Sequence, residues 1–195
     1  MRRLFGYGLL AAVGLAVGCG LAVQKIREGL SSGGIVNGPW HSPENAGTDR
    51  ADPGTRAVIA LRGLLALPAS EAVYFNAAVD SDGRPLKGSC NYRVTGGALP
   101  TRWWTLTAYD ADGYLIPNRD HLYSVGSAAM SPLEKGNWTV SIGPKPPATD
   151  ASRWVATEED APFELTLRAY HPKPALLADR AHIALPKIVR EGCAS

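Results

Sequence analysis

The alternation of apolar and polar positions changes character three times along the chain. From Leu4 to Val23, twenty residues pass without a charge, with Arg2 and Arg3 before them and Gln24, Lys25 and Arg27 after. As a helix that run matches the ~30 Å hydrocarbon core of a bilayer. From Leu30 to Gly54 the chain is rich in Gly, Ser, Pro, Asn and Asp and lacks an apolar period, the composition of a linker, within which Ile35 to Trp40 docks on the domain or Trp40 rests at the membrane interface. Asp52-Pro53 opens a helix, because Asp caps a helix start and Pro is tolerated at the first helical position. Ala57, Ile59, Ala60, Leu61, Leu64, Leu65 and Leu67 continue it to Pro68. So many apolar residues predict that this helix lies against a sheet.

Beyond Pro68 the period drops to two, the signature of strands. Ala72 to Val79, Cys90 to Thr95, Asn137 to Ile142 and Phe163 to Tyr170 all read this way. The fullest case is Arg102 to Tyr109, where Trp104, Leu106 and Ala108 alternate with Trp103, Thr105, Thr107 and Tyr109. Adjacent tryptophans on a strand face opposite sides. One enters a core, and the other needs a helix, a loop or a ligand to cover it. Asp110-Ala111-Asp112-Gly113 is a turn of the same form as Asp80-Ser81-Asp82-Gly83, with Asp bonding nearby N–H groups and Gly accepting positive φ. Tyr114-Leu115-Ile116 then resumes the strand as a hairpin, and Pro117 ends it. Short strands separated by Pro, Gly and Asp turns predict an antiparallel sandwich or barrel, with the tail from His171 wrapping its outside.

The resulting plan is an anchor with flanks over 1–28, a linker over 29–54 and a β domain over 55–195. The anchor reading has two rivals. A cleaved signal peptide needs an Ala-x-Ala-like site, and no good one is present. A lipoprotein signal would use Cys19, but apolar residues continue past it and Ala16 stands where Leu is usual. Charge flanking favours a cytoplasmic N-terminus, which puts the β domain in the periplasm of a bacterial inner-membrane protein. The partner implied is the membrane itself, through residues 4–23. Gly14 and Gly18 make a GxxxG spacing that chance explains in a segment with five glycines.

Composition removes several function classes. A net charge of +2 with 19% charged residues gives no basic surplus for nucleic acid. Cys19, Cys90 and Cys193 form no CxxC or His/Cys cluster, so no zinc site is expected. His41, His121, His171 and His182 are scattered, with no HxH or HExxH, and no nucleophile elbow or phosphate-binding loop occurs. Ser124 and Ser141 have no identifiable base. The Asp-x-Asp-Gly turns lack the later Glu of a calcium loop, and Asp110 with Asp112 lacks an opposed carboxylate for glycoside hydrolysis. No catalytic residue and no cofactor are expected. If the domain is exported, Cys90 and Cys193 can form a disulfide closing about a hundred residues, worth at most ~4–5 kcal/mol in the chain-entropy model.

Several motifs resemble the domain of unknown function 1214. They are Trp103-Trp104-Thr105-Leu106-Thr107-x-Tyr109-Asp110, Gly113-Tyr114-Leu115-Ile116-Pro117-Asn118, Tyr123-Ser124-Val125-Gly126, and Phe163-x-Leu165-x-Leu167-Arg168-Ala169-Tyr170-x-Pro172. The resemblance covers about residues 72–190. It implies a jelly-roll-like β-sandwich with one packed helix, a place in the short membrane-anchored bacterial subgroup without the 1254 partner domain, and no established activity. Two positions depart from the family pattern. Asn118-Arg119-Asp120-His121-Leu122-Tyr123-Ser124 replaces an Asn-Pro-x-x-Arg-Tyr-Ser run, and Arg153-Trp154 replaces an Asn-Trp pair. Candidate ligand-binding residues are Trp103, Trp104, Tyr109, Asn118, Tyr123, Trp154, Arg168 and Tyr170, although core packing accounts for most aromatics. The leading expectation is an exported domain that binds a ligand or protein at the envelope. Its rivals are an envelope enzyme acting on carbohydrate or lipid, and a purely structural domain.

Overall fold

The computed structural model describes residues 2–28, 34–61, 67–119, 121–131, 133–148, 151–157 and 161–193. The first element is helix α1, Arg2–Glu28. Its stretch Gly6–Gln24 has a mean hydropathy of 1.9 and is long and apolar enough to cross a membrane. A signal sequence has the same properties. Helix α2, Pro53–Leu61, starts where Asp52 predicts. Asp52 Oδ1 accepts the N–H groups of Gly54 at 2.8 Å and Thr55 at 3.1 Å. Leu64 and Leu65, placed by the sequence in the same helix, lie outside the described residues, as do 29–33 of the linker.

The rest is a β-sandwich of two sheets. Strands are β1 Ile35–Asn37, β2 Trp40–Ser42, β3 Ala72–Ala77, β4 Cys90–Gly97, β5 Thr101–Asp110, β6 Ser124–Gly126, β7 Asn137–Gly143, β8 Trp154–Ala156, β9 Phe163–Pro172 and β10 Lys187–Cys193. The larger sheet has the order β1-β2-β3-β9-β5-β6 and the smaller β10-β4-β7-β8. The chain crosses repeatedly between them. Among the described residues all strand pairings are antiparallel except β7 with β8, which run parallel.

Period-two alternation gives each sheet one apolar face, and these two faces make the core. Phe75, Leu106, Leu165 and Leu167 of the larger sheet meet Tyr92, Val94, Val140 and Ile142 of the smaller, all essentially buried. Two aromatic contacts tie the layers: Trp104 against Trp138, with ring centroids 4.1 Å apart, and Tyr92 edge-on to Phe163 at 5.7 Å. Gly96, the register partner of Trp138, makes the first contact possible. A Cβ there would stand 2.4 Å from Trp138 Cζ2.

Three departures from the sequence reading share one cause, long-range pairing. Within the segment read as linker, 35–37 and 40–42 join the larger sheet as strands rather than only docking on it, and Trp40 is fully buried on the domain with its Nε1 donating to Pro186 O at 2.7 Å. The tail does not simply wrap the outside. It forms helix α3, Pro174–Ala178, whose Leu176 enters the core, and then edge strand β10. The hairpin return is also different. Tyr114-Leu115-Ile116 makes only an isolated bridge, Tyr109 to Leu115, and β6 is the strand that pairs with β5 beyond the turn. Pro117 has no N–H to extend a ladder, which is why the chain leaves the sheet there. At the far end Cys193 is the register partner of Cys90, and the two are joined by a disulfide with a sequence separation of 103.

Gly96→Ala is expected to destabilise the protein by about 1–3 kcal/mol, because the Trp138 ring has no room to move in a packed core. Gly97→Ala, whose Cβ would lie 3.5 Å from Gly136 O, is expected to change little. Urea melts followed by tryptophan fluorescence on the full chain in detergent compare the two. In the same assay Cys193→Ser should lower stability by about 2–5 kcal/mol, and reductant should have no further effect on it.

Candidate functional site

The outward face of the larger sheet is where the sequence candidates gather. Directly opposed residues in antiparallel strands share a face. The register therefore lays three rows across the sheet: Ala72, Tyr170 and Trp103; Tyr74, Arg168 and Thr105; Asn76, Thr166 and Thr107. The strand β9 supplies the middle of each row because it lies between β3 and β5. Its Leu165, Leu167 and Ala169 fill the core, so Thr166, Arg168 and Tyr170 must point the other way.

Trp103 lies flat on Tyr170, with ring centroids 3.8 Å apart and planes 7° apart. This neighbouring strand, rather than a helix or loop, gives the second tryptophan its partner. Trp103 is still 40% exposed. Beside this stack Arg168 Nη2 donates to the Tyr109 hydroxyl at 2.7 Å and Nη1 to Thr107 Oγ1 at 3.4 Å. The guanidinium carbon is 5.3 Å from the Tyr109 ring centroid and 5.8 Å from that of Tyr74, within cation–π range. Thr166 Oγ1 donates to Asn76 Oδ1 at 2.9 Å. His41 of β2 stands opposite Asn76, and its Nδ1 is buried without a hydrogen-bond partner among the described residues. The face thus combines an aromatic platform and an oriented cation, while the Thr107 and Thr166 hydroxyls beneath them are buried and engaged within the sheet. Such a surface stacks on rings or apolar faces.

Four candidates, Trp103, Tyr109, Arg168 and Tyr170, come together here. The other four share no ring contact, cation–π contact or side-chain hydrogen bond with them among the described residues. Trp104 is a core residue, 4% exposed, against Trp138. Trp154 is on β8 of the smaller sheet, with its Nε1 donating to Gly143 O at 3.0 Å. Asn118 holds its own loop together: Nδ2 donates to Ile116 O at 3.2 Å, and Oδ1 accepts Leu122 N–H at 2.9 Å. The Tyr123 hydroxyl lies 3.2 Å from His121 Nδ1. Asp120, in the same run, lies outside the described residues. Tyr74 belongs to the site and was not a candidate. Its alternation within Ala72 to Val79 put it on a face, but nothing local showed that β9 and Arg168 would be its neighbours.

The acidic turns are committed to their own backbones. Asp80 Oδ1 accepts the N–H groups of Asp82 at 3.0 Å and Arg84 at 2.9 Å. Asp110 Oδ1 does the same with Asp112 at 3.0 Å and Tyr114 at 2.8 Å. Gly83 and Gly113 take φ of +82° and +88°. Burial pushes the Asp80 carboxyl up, but bonds from the Arg84 and Asp82 backbone, joined by the Arg84 guanidinium, outweigh it and hold the group below its ordinary range. Among the described residues no group of three or more His, Cys, Asp or Glu is placed to hold a metal ion.

The variant position Arg153 also has a visible role. Its two terminal nitrogens donate to Glu134 Oε1 at 2.7 Å and Oε2 at 2.8 Å. This fork joins the turns that lead into β7 and β8. Arg153, followed by the Ser131 side chain and then its N–H, holds the Glu134 carboxyl down to about 2 from an ordinary 4.5. A carboxyl depressed on folding stabilises the native state above its unfolded pKa and loses that contribution as pH falls through the folded value. The contribution is therefore complete above about pH 4.5 and lost towards pH 2. Glu134→Gln should lower the urea midpoint at pH 7 and flatten its fall between pH 4.5 and 2, as urea melts across that range would show.

A profile of the family described as protein of unknown function (DUF1214) matches residues 71–174. No curated protein sequence matches the chain. Among solved structures, the VPA0106 protein from Vibrio parahaemolyticus is similar with a TM-score of 0.59 and 22% identity, over 92% of this chain and 44% of its own. A putative uncharacterized protein from Burkholderia cenocepacia has a TM-score of 0.48 and 18% identity, over 90% of this chain and 41% of its own. The chain thus spans less than half the length of either protein, and its likeness to the Vibrio protein is one of fold.

Proposed function

Since the chain belongs to the DUF1214 family, whose fold brings no activity with it, we propose from its surface that it is a non-catalytic binding domain held at a membrane. The observation that carries this reading is the Trp103–Tyr170 stack, open to solvent beside an Arg168 already oriented by Tyr109. Trp, Tyr and Arg are the residue types that dominate binding energy in protein interfaces. Rigid rings and a guanidinium fixed before contact lose little conformational entropy on binding. We take the occupant to be a protein of the same membrane surface. Helix α1 supports the placement by its length and apolar character, and the flanking charge bias favours a domain on the outer side of a bacterial inner membrane. The Cys90–Cys193 pair fits that oxidising compartment.

Replacing Trp103 with a photoreactive phenylalanine in the full chain, and irradiating intact cells, tests the face directly. A discrete adduct from position 103, with none from position 189 on the exposed side of β10, is the expected result. Equal labelling at both positions, or none at 103, defeats the proposal. Protease access in spheroplasts decides the side of the membrane: digestion from outside is expected, and protection reverses the orientation.

A further inference from the structure

The opposite side of the sandwich carries a cleft that this reading does not use. It opens on the outer face of the smaller sheet, between the ends of β4 and β10 and residues 145–147, with a volume of about 340 Å³. That is at the small end of the range for ligand clefts, ~300–1,000 Å³. Its lining includes Asn91, Ser141, Lys145, Trp154, Glu191 and Gly192.

The local sequence explains why an opening exists there. Gly192 carries no side chain, and a Cβ at that position would meet nothing within 4 Å. A Cβ on Gly143 would stand 2.3 Å from Asn91 Oδ1, so the glycine is what lets the Asn91 amide lie across β7. Trp154 is the register partner of Ser141, and its indole is held by the bond to Gly143 O. Pro146 and Pro147 form part of the rim, with φ fixed by their rings. Cys90 precedes Asn91 and Cys193 follows Gly192, so the disulfide ties two sides of the cleft together. The walls are built before any ligand arrives.

Three polar groups of the cleft are uncommitted, unlike several that hold the fold together. Asn37, Asp80, Asn118 and Arg168 each have protein partners. The Asn91 amide, Ser141 hydroxyl and Lys145 ammonium have no side-chain hydrogen bond or ion pair among the described residues. Glu191 is ion-paired with Arg93, which leaves Lys145 as the unbalanced charge. An amide and a hydroxyl both donate and accept, as vicinal hydroxyl groups on a ligand require. The two prolines offer apolar surface to C–H groups, above Trp154, which is 4% exposed and lines the cleft only by its edge. Lys145 suits a carboxylate on the same ligand, through a charge-assisted hydrogen bond.

We infer that this cleft binds an acidic saccharide, a sugar ring bearing a carboxylate. Asn91 and Ser141 take the ring hydroxyls, Lys145 takes the carboxylate, and Pro146 and Pro147 take the apolar edge above Trp154.

The test uses the full chain in lipid nanodiscs, with ¹⁵N-labelled tryptophan and digalacturonate as the probe. The Trp154 indole N–H peak, identified by its loss in Trp154→Phe, should move saturably. Lys145→Ala and Asn91→Ala should each weaken binding about tenfold, the usual effect of losing a hydrogen bond to a charged or oriented polar group. Both residues are exposed, and unmoved peaks from the core tryptophans in each variant would show that the fold is intact. Maltose, a neutral disaccharide, should bind at least about tenfold more weakly. The inference is overturned if no saturable shift occurs, if maltose and digalacturonate are equivalent, or if Lys145→Ala binds as the parent does. Movement of the Trp103 peak alone would also overturn it, and would assign the sugar to the other face.

Discussion

Trp104 and Trp138 meet across the interior, one from each sheet, and the two layers are positioned by that contact. The indoles are large enough that each displaces what would otherwise lie opposite. Gly96 is the accommodation on β4, where the Trp138 ring passes over bare backbone and bonds Gly97 O at 2.8 Å. Once the sheets are set at this spacing, the smaller apolar residues around them, from Val94 and Val140 to Leu106 and Ala108, have little freedom left. Protein cores are packed as closely as organic crystals, so a ring of this size acts as a template for its neighbours.

The outward faces follow from the inward ones. Because β9 is central in the larger sheet and commits Leu165, Leu167 and Ala169 to the core, Arg168 and Tyr170 are turned outward together. Trp103 is turned outward because Trp104 is turned in. The aromatic platform is thus a consequence of the same alternation that builds the core. Its distinguishing feature is what the outward positions carry: rings and a guanidinium where Lys, Glu or Thr would serve solubility alone. The smaller sheet reaches a different result by the same rule. Glycines at 143 and 192 leave outward positions low, and Pro146 and Pro147 close over them, so a hollow replaces a platform.

Polar groups in the rest of the fold are used to hold backbone. The two Asp-x-Asp-Gly turns are one device used twice, a carboxylate oxygen accepting two successive backbone donors while the glycine takes positive φ. Asn118 and the Glu134–Arg153 fork do comparable work in longer connections. A departure from family pattern at Arg153 is therefore intelligible as structure: the guanidinium reaches a carboxylate nineteen positions back in the chain.

Features fixed by capping, turn chemistry and pleat were legible from the chain alone. The apolar run of α1, the Asp52 cap of α2, both acidic turns and the opposite orientations of Trp103 and Trp104 are set within a few residues, by helix length, capping chemistry and strand pleat. Strand pairing was settled by long-range contacts. Trp40 had two expected places, the domain and the membrane interface, and a buried site with Pro186 O as acceptor decided for the domain. Tyr114 to Ile116 had the residues of a return strand, yet β6 took that edge once Pro117 had turned the chain away. Tyr74 became a neighbour of Arg168, and Trp154 a wall beside Asn91, through registers joining segments far apart in sequence. Such pairings are selected by the summed burial of whole faces, and no local period in the chain encodes that sum.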